Sequence, residues 1–306
     1  MDRFVNMQTF VAVVEAGSIT AAAERLEVAK SAVSRRLAEL EHHLGVQLLK
    51  RTTRHLDLTD TGRSYFLRCQ TILEDVRETE IAVSTEHGAL HGPIRVSMPL
   101  TFGLLHLRAA ISDFLHQNPG VSFDLDLGDR QVDLLGEGFD LAIRIARLAD
   151  SSLIARRLAP VRRVVCASPD YWSRRSRPKN PDDLADHDCL YYSLTDEPGT
   201  WRYRSAGGTD GSVKVPAVMR ANNGDVLRDL AIAGHGVAIL PTFIVYRAIE
   251  AGRLEPVLPD VEWTPLGAYA VYPQSRHLSS RIRSFVDFLA QRFGDRPYWD
   301  DCLGPR

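Results

Sequence analysis

Apolar residues in the first sixty positions recur at helical intervals. Phe4, Met7, Phe10, Val11 and Val14 form one such set, and Gly17 supplies its stop. Ser18 or Thr20 can cap a short second helix over Ala21 to Leu26. A turn at Glu27-Val28-Ala29-Lys30 then leads into a third helix, Ser31 to about Leu44, which Gly45 ends. Helix, tight turn and helix at this length form the helix-turn-helix pattern. On the third helix, Val33, Leu37, Leu40 and Leu44 fall on one stripe, while Ser31, Ser34, Arg35, Ala38 and His42 lie opposite. Residues 48–58 read as a strand, a basic turn and a second strand.

From Thr59 or Thr61 the pattern changes to one long polar helix reaching Thr85. Along it Phe66, Cys69, Leu73, Val76, Glu80 and Val83 step by three and four, which is the spacing of a two-helix seam. Such a seam either pairs two subunits or packs within one chain, and a protruding apolar stripe favours the first. Cys69 then fills space in the seam and is not a redox sensor. Gly88, Gly92 and Pro93 mark a break. Beyond it, apolar strands alternate with helices: a strand at 94–98, a helix to about Gln117, a strand at 121–127, a short helix after Asp129 and a strand at 139–144. Further strands are predicted at 164–168, 189–193, 201–204, 213–219, 237–240 and 268–272, with a final helix at 279–293. This alternation predicts an α/β domain with a parallel sheet.

At 306 residues the chain is long enough for two domains. Its net charge of −2 excludes a uniformly basic protein, yet leaves room for a basic module on an acidic one. Four cysteines, Cys69, Cys166, Cys189 and Cys302, lie far apart, so neither a zinc module nor a disulfide framework is expected. The first residues lack a signal-peptide pattern, and there is no run of 18 apolar residues, so the expected setting is the cytoplasm, away from any membrane.

The outer face of the third helix suits a major groove, where Arg35 can fork onto guanine and Ser31 and Ser34 can bond phosphates or bases. Arg51, Thr52 and Arg54 in the basic turn can hold backbone phosphates. A small helical bundle with a solvated basic face would show the same spacing. The stretch from Met7 to Gly62 closely resembles the winged helix-turn-helix of the LysR-type transcriptional regulators. The resemblance rests on Phe10, Ala21-Ala22-Ala23, Ser34-Arg35, Leu40-Glu41, Leu44-Gly45, Leu48, Arg51 and Leu58-Thr59. Two positions depart from the family pattern. Ala29-Lys30 stands where Ser-Gln is usual, and Ser31 where Pro is common, so Lys30 adds a phosphate or guanine contact.

The resemblance extends through Gly138-Phe139-Asp140-Leu141-Ala142-Ile143-Arg144-Ile145, Asn222-Asn223-Gly224-Asp225 and the run from Ala233 to Pro241. It implies a winged helix-turn-helix over 1–60, a linker and dimerisation helix over 61–89, and an effector-binding domain over 90–306. That domain would resemble type II periplasmic binding proteins. Subdomain I would cover about 90–162 and 267–293, and subdomain II about 163–266, flanking a cleft; residues 294–306 carry no assignment. The implied partners are double-stranded DNA, a small-molecule effector, RNA polymerase and further copies of the chain, as a homodimer or homotetramer. Pairing would use Phe66, Cys69, Leu73, Val76 and Val83. No metal or other cofactor is expected.

Ligands in open α/β sheets bind beyond the carboxyl ends of strands. Thr101 and Phe102, Asp129-Arg130, Arg144, Asn222-Asn223 and Pro241 all follow strand ends. Thr101, at a helix start, favours an anion such as a carboxylate, whereas Asp129 favours a cation or a sugar-like ligand. Each has a plainer reading: Thr101 as a helix cap, Arg144 as the partner of Asp140, Asn222-Asn223-Gly224 as a turn. An enzyme is the main competing class, but G-x-S-x-G, G-x-x-x-x-G-K-[ST] and H-E-x-x-H do not occur. A secreted solute receptor would need a signal peptide and no wing, and a DNA-architectural protein would need no 200-residue cleft domain.

Overall fold

Local capping fixes the N-terminal helices of the computed structural model, which describes residues 2–51, 56–84, 89–134, 136–147, 154–195, 199–205, 207–273 and 278–304. The Asp2 carboxylate accepts from the Phe4 and Val5 amides and starts α1 (Arg3–Ala16), which Gly17 ends in the left-handed region at φ 67°. Ser18 accepts from the Ala21 amide and starts α2 (Ile19–Arg25). α3 (Lys30–Leu44) begins at Ala29, whose side chain caps nothing. Val33, Leu37 and Leu40 bury its stripe against Phe10, Val13 and Ala22. Each such side chain contributes about 1.5–3 kcal/mol.

The wing is a two-stranded antiparallel ribbon, β1 (Leu49–Arg51) and β2 (Leu56–Leu58). Glu41 anchors it to α3 by accepting from the Leu48 and Leu49 amides at 2.8 and 3.1 Å. The next helix, α4 (Asp60–Ser84), starts where the Thr59 hydroxyl accepts from the Gly62 amide. Gly62 lies so close to the wing that an added Cβ would sit 2.0 Å from the Leu48 carbonyl oxygen.

The seam expected along α4 is largely turned inward. Cys69 is fully buried in the core of its own chain, with Tyr65, Phe66 and Leu73 packed against the same cluster. The Phe10 ring lies 5.6 Å from Tyr65 and 6.4 Å from Phe66. Phe66, Cys69 and Leu73 thus continue the helix-turn-helix core, because α1 reaches this stripe first. Val76 is half-buried, and the Val83 side chain lies outside the described residues. Burial pushes the Cys69 thiol up to about 11, as a core position requires.

After α4 come β3 (His91–Met98) and α5 (Leu100–Phe102), which passes through a π turn (Gly103–Leu107) into α6 (Arg108–Gln117). Then follow β4 (Gly120–Leu127), β5 (Leu141–Ala146), β6 (Ile154–Val161), β7 (Arg163–Ala167), α7 (Pro169–Arg174) and a 3-10 turn (Pro181–Asp186). The chain continues through β8 (Cys189–Tyr192), β9 (Thr200–Arg204), β10 (Asp210–Lys214), β11 (Ala217–Ala221), α8 (Gly224–Ile232), β12 (Val237–Pro241) and α9 (Thr242–Glu250). It closes with β13 (Glu255–Val257), β14 (Glu262–Trp263), β15 (Leu266–Tyr272), α10 (Ser280–Phe293) and a 3-10 helix (Tyr298–Leu303).

Two five-stranded sheets result, ordered β4-β3-β5-β15-β6 and β11-β8-β12-β7-β13. They are mixed and not parallel throughout. β3 pairs in parallel with β4 and β5, and β8 with β11 and β12, while β15 runs antiparallel to β5 and β6, and β7 to β12 and β13. The antiparallel strands are the ones the chain enters on crossing between subdomains. It crosses at Arg162 and again at 264–265, and the Arg163 guanidinium donates to the Thr264 carbonyl at 2.9 Å, tying the two crossings together. The helix expected after Asp129 does not form. Glu137 instead gathers the Arg130 guanidinium at 2.9 and 2.6 Å and the Asp133 amide at 3.0 Å, closing a loop.

Candidate nucleic-acid interface and ligand cleft

Lys30, Ser31 and Arg35 stand exposed on the outer face of α3, and Ser34 is half-buried beside them. Lys30 and Ser31 occupy the first turn, where backbone N–H groups and the helix dipole add to the lysine charge. Arg35 lies 3.8 Å from Glu39 one turn along, an exposed pair that a phosphate or guanine could displace. Arg51 ends β1, opposite Leu56, and its side chain lies outside the described residues, as do Thr52 and Arg54. The structure therefore presents a polar helix face, carried by an apolar one packed at Val33, Leu37 and Leu40 and flanked by the wing.

Between the two sheets, Leu100, Gly128, Asp129 and Arg130 of the first subdomain face Leu194, Asn222 and Asn223 of the second across a cavity of about 280 Å³. Such a volume accommodates a molecule of a few heavy atoms to about the size of a sugar. Of the expected strand-end residues, Asp129, Arg130, Asn222 and Asn223 line it. Asn223 also caps α8, accepting from the Asp225 and Val226 amides at 3.0 and 3.2 Å.

The others are placed differently. The Thr101 hydroxyl is buried and donates across the cleft to Asp225 at 2.5 Å, the length of a strong hydrogen bond to a carboxylate. Asp225 is held in turn by Arg228 at 2.6 Å. The Leu100 amide at the helix start favours the charged form of the nearby Asp129 carboxylate. The place expected to receive an anionic ligand is thus filled by the chain's own carboxylates. Phe102 turns away from the cavity, fully buried against Phe243, Phe293 and Trp299. Pro241 pairs with Arg163 at the crossing and does not reach the cavity. Arg144 lies beneath the site, donating to the Ile143 carbonyl at 3.3 Å, while Asp140 accepts from the Arg95 amide instead.

Burial raises the Asp129 carboxyl above its ordinary range, and the nearby Asp225 adds to this, against the Leu100 amide and Arg144. Arg130 on the rim is committed to Glu137 and Asp126. Leu100, Gly128 and Leu194 were not foreseen, since loops meeting from different subdomains leave no local signal. Asp225 could have been suspected from Asn223, because an N-cap followed by an acid in the first turn is a local pattern. Cys166 and Cys189 are buried with thiols pushed up to about 12, and no cluster of metal-ligating side chains occurs among the described residues. No helix among the described residues is long and apolar enough to cross a membrane.

Known proteins share both halves of this arrangement. Residues 4–63 match the bacterial regulatory helix-turn-helix proteins of the lysR family, and residues 87–294 match the LysR substrate binding domain. The chain is 36% identical over 294 residues to the HTH-type transcriptional regulator CrgA of Neisseria meningitidis, covering 95% of this chain and 97% of that one. It is 34% identical over 293 residues to the HTH-type transcriptional regulator PtxR of Pseudomonas aeruginosa, covering 96% and 94%. Among solved structures, that of CrgA from N. meningitidis aligns with a TM-score of 0.60 at 34% identity, covering 95% of this chain and 98% of that one. The full-length Vibrio cholerae virulence activator AphB aligns with a TM-score of 0.59 at 26% identity, covering 94% and 98%.

Proposed function

Because this chain belongs to the LysR family of bacterial helix-turn-helix transcriptional regulators, we propose that it reads promoter DNA through α3 and answers a small molecule held in the cleft. The observation that carries the reading is the exposed face of Lys30, Ser31 and Arg35 on a helix whose opposite face is buried at Val33, Leu37 and Leu40. In this reading the protein acts in the cytoplasm as a regulator and not as an enzyme. Two copies place their α3 helices in successive major grooves of a partial palindrome.

Pairing draws on α4, where Phe66, Leu73 and Val76 stay half-buried in the single chain, and on further exposed apolar surfaces. Exposed apolar side chains occur on both sheet edges, Leu125 and Leu127 on β4 and Val218 and Met219 on β11, together with Ile72 on α4. Edge strands carrying such side chains support contact with a second copy. The cleft takes an uncharged or cationic polar molecule, since Asp129 and Asp225 occupy the helix start and Arg130 and Arg228 are committed to acids.

Arg35→Ala is expected to weaken promoter binding by about 1–3 kcal/mol and to relax base preference at one position. Wild-type affinity in this variant at the same salt would contradict the DNA reading. A thermal-shift panel of small amines, polyols and carboxylates tests the cleft. Stabilisation by carboxylates alone would overturn the effector class.

A further inference from the structure

The chain does not end with α10. Gly294, at a positive φ of 61°, turns it back, and the 3-10 helix Tyr298–Leu303 lies across the junction of the two subdomains. Its Trp299 side chain is fully buried. That ring packs on Phe102, His106 and Phe293 of the first subdomain, at centroid separations of 5.7, 4.6 and 5.5 Å, and on Phe243 of the second at 6.3 Å. Edge-to-face and tilted contacts of this kind add to the burial of the ring.

Hydrogen bonds fix the same segment to both sides. His106 of the π turn accepts at Nδ1 from the Tyr298 hydroxyl at 2.5 Å and donates from Nε2 to the Phe243 carbonyl at 3.0 Å. This is the neutral imidazole, and burial lowers its pKa to about 4. On the second subdomain, the Thr242 hydroxyl donates to Asp300 at 2.6 Å, while the Thr242 amide donates to the carbonyl of Arg162, the residue at which the chain first crosses between subdomains. The tail is therefore seated on the hinge itself. It touches Phe102, next to the cleft-bridging Thr101, from the side away from the cavity. Its seat also holds the Trp299 indole N–H without a hydrogen-bond partner among the described residues, a desolvation cost that weakens the seat.

We propose that residues 297–303 are a strap that clamps the two subdomains at their hinge and so sets how readily the cleft opens. The consequence for regulation rests on the cleft being the effector site. An effector acts only by favouring one inter-subdomain angle over another, and the strap fixes the starting angle it works against. Its release shifts the population towards open clefts without any ligand.

Hydrogen exchange on the full-length protein, with no ligand added, tests this separately from the effector reading. The strap contacts Phe102, His106, Thr242, Phe243 and Phe293, so the second crossing at 264–267 and the first turn of α8 at 225–227 report on opening elsewhere. In a chain ending at Arg296, amides in both segments are expected to exchange about tenfold faster or more, with α1 to α3 unchanged. The double variant Thr242→Val/Tyr298→Phe deletes two hydroxyls, keeps every ring and is expected to move the same two segments in the same direction. A synthetic peptide of residues 295–306 added to the shortened chain restores its rates. Should the shortened chain fail to fold, the double variant decides alone. Faster exchange confined to 102–106 and 242–246, with 264–267 and 225–227 at wild-type rates, would overturn the proposal and leave the tail a local cover.

Discussion

Thr101→Val isolates a side-chain hydrogen bond that spans the cleft. Valine keeps the shape of threonine, so the buried site neither opens a cavity nor becomes overpacked; only the hydroxyl is lost. That hydroxyl donates to Asp225 at 2.5 Å, from a residue 5% exposed to a carboxylate 30% exposed. Hydrogen bonds to charged groups contribute about 1.5–3 kcal/mol. Asp225 keeps Arg228 in the variant, so the lower end applies, about 1.5 kcal/mol. Since about 1.4 kcal/mol is a factor of ten, the open fraction of the cleft rises about tenfold. For an effector domain of this size the same loss lowers the unfolding midpoint by about 3–6 °C. The assay pairs thermal unfolding with amide exchange at Asp225 and Val226, whose N–H groups Asn223 caps. An unfolding midpoint and exchange rates equal to wild type would show that the two subdomains are held by other contacts and that Thr101 is a plain buried threonine.

Acid should weaken the strap through His106. Its folded pKa of about 4 lies below the ordinary 6.5, so its stabilising contribution is complete above about pH 6.5 and is lost as pH falls towards 4. The loss amounts to about 3 kcal/mol at the low end. In urea unfolding, the stability difference between wild type and His106→Gln should therefore shrink between pH 7 and 4.5, and a constant difference would refute this. Gly62→Ala places a Cβ against the Leu48 carbonyl and must displace the wing from α4. It is expected to cost about 1–3 kcal/mol or more and to weaken DNA binding, whereas unaltered binding and stability would mean that the wing moves aside freely.

Local signals carried the DNA-binding half. Ser18, Gly17 and Gly45 stand where caps and stops were expected, and Val33, Leu37 and Leu40 of the expected stripe are buried, whereas its last member, Leu44 at the helix end, is 36% exposed. The same spacing told only part of the story on α4. A stripe at intervals of three and four says that Phe66, Cys69 and Leu73 must be covered, but not by what, and α1 supplies the cover. Strand β6, with Arg156, Arg157 and Pro160 among its apolar residues, and α9, whose Phe-Ile-Val-Tyr run suits a strand as well as a helix, show no clear period. In the cleft the strand-end rule found Asp129, Arg130, Asn222 and Asn223. It could not reveal that Thr101 is engaged by a carboxylate 124 positions away. Trp299 gave no signal either, since an aromatic in a polar tail is buried only by the meeting of segments distant in sequence, those of Phe102 and His106, Phe243 and Phe293.

The central claim, sequence-reading by α3, is tested most directly by capturing genomic fragments on the full-length protein and sequencing what is bound. The account predicts enriched fragments that share a partial palindrome, with half-sites about 10–10.5 base pairs apart or a multiple of that. It also predicts that the enrichment disappears for Lys30→Ala/Arg35→Ala at the same salt. Fragments with no shared sequence, or the same fragments recovered by the double variant, would contradict it.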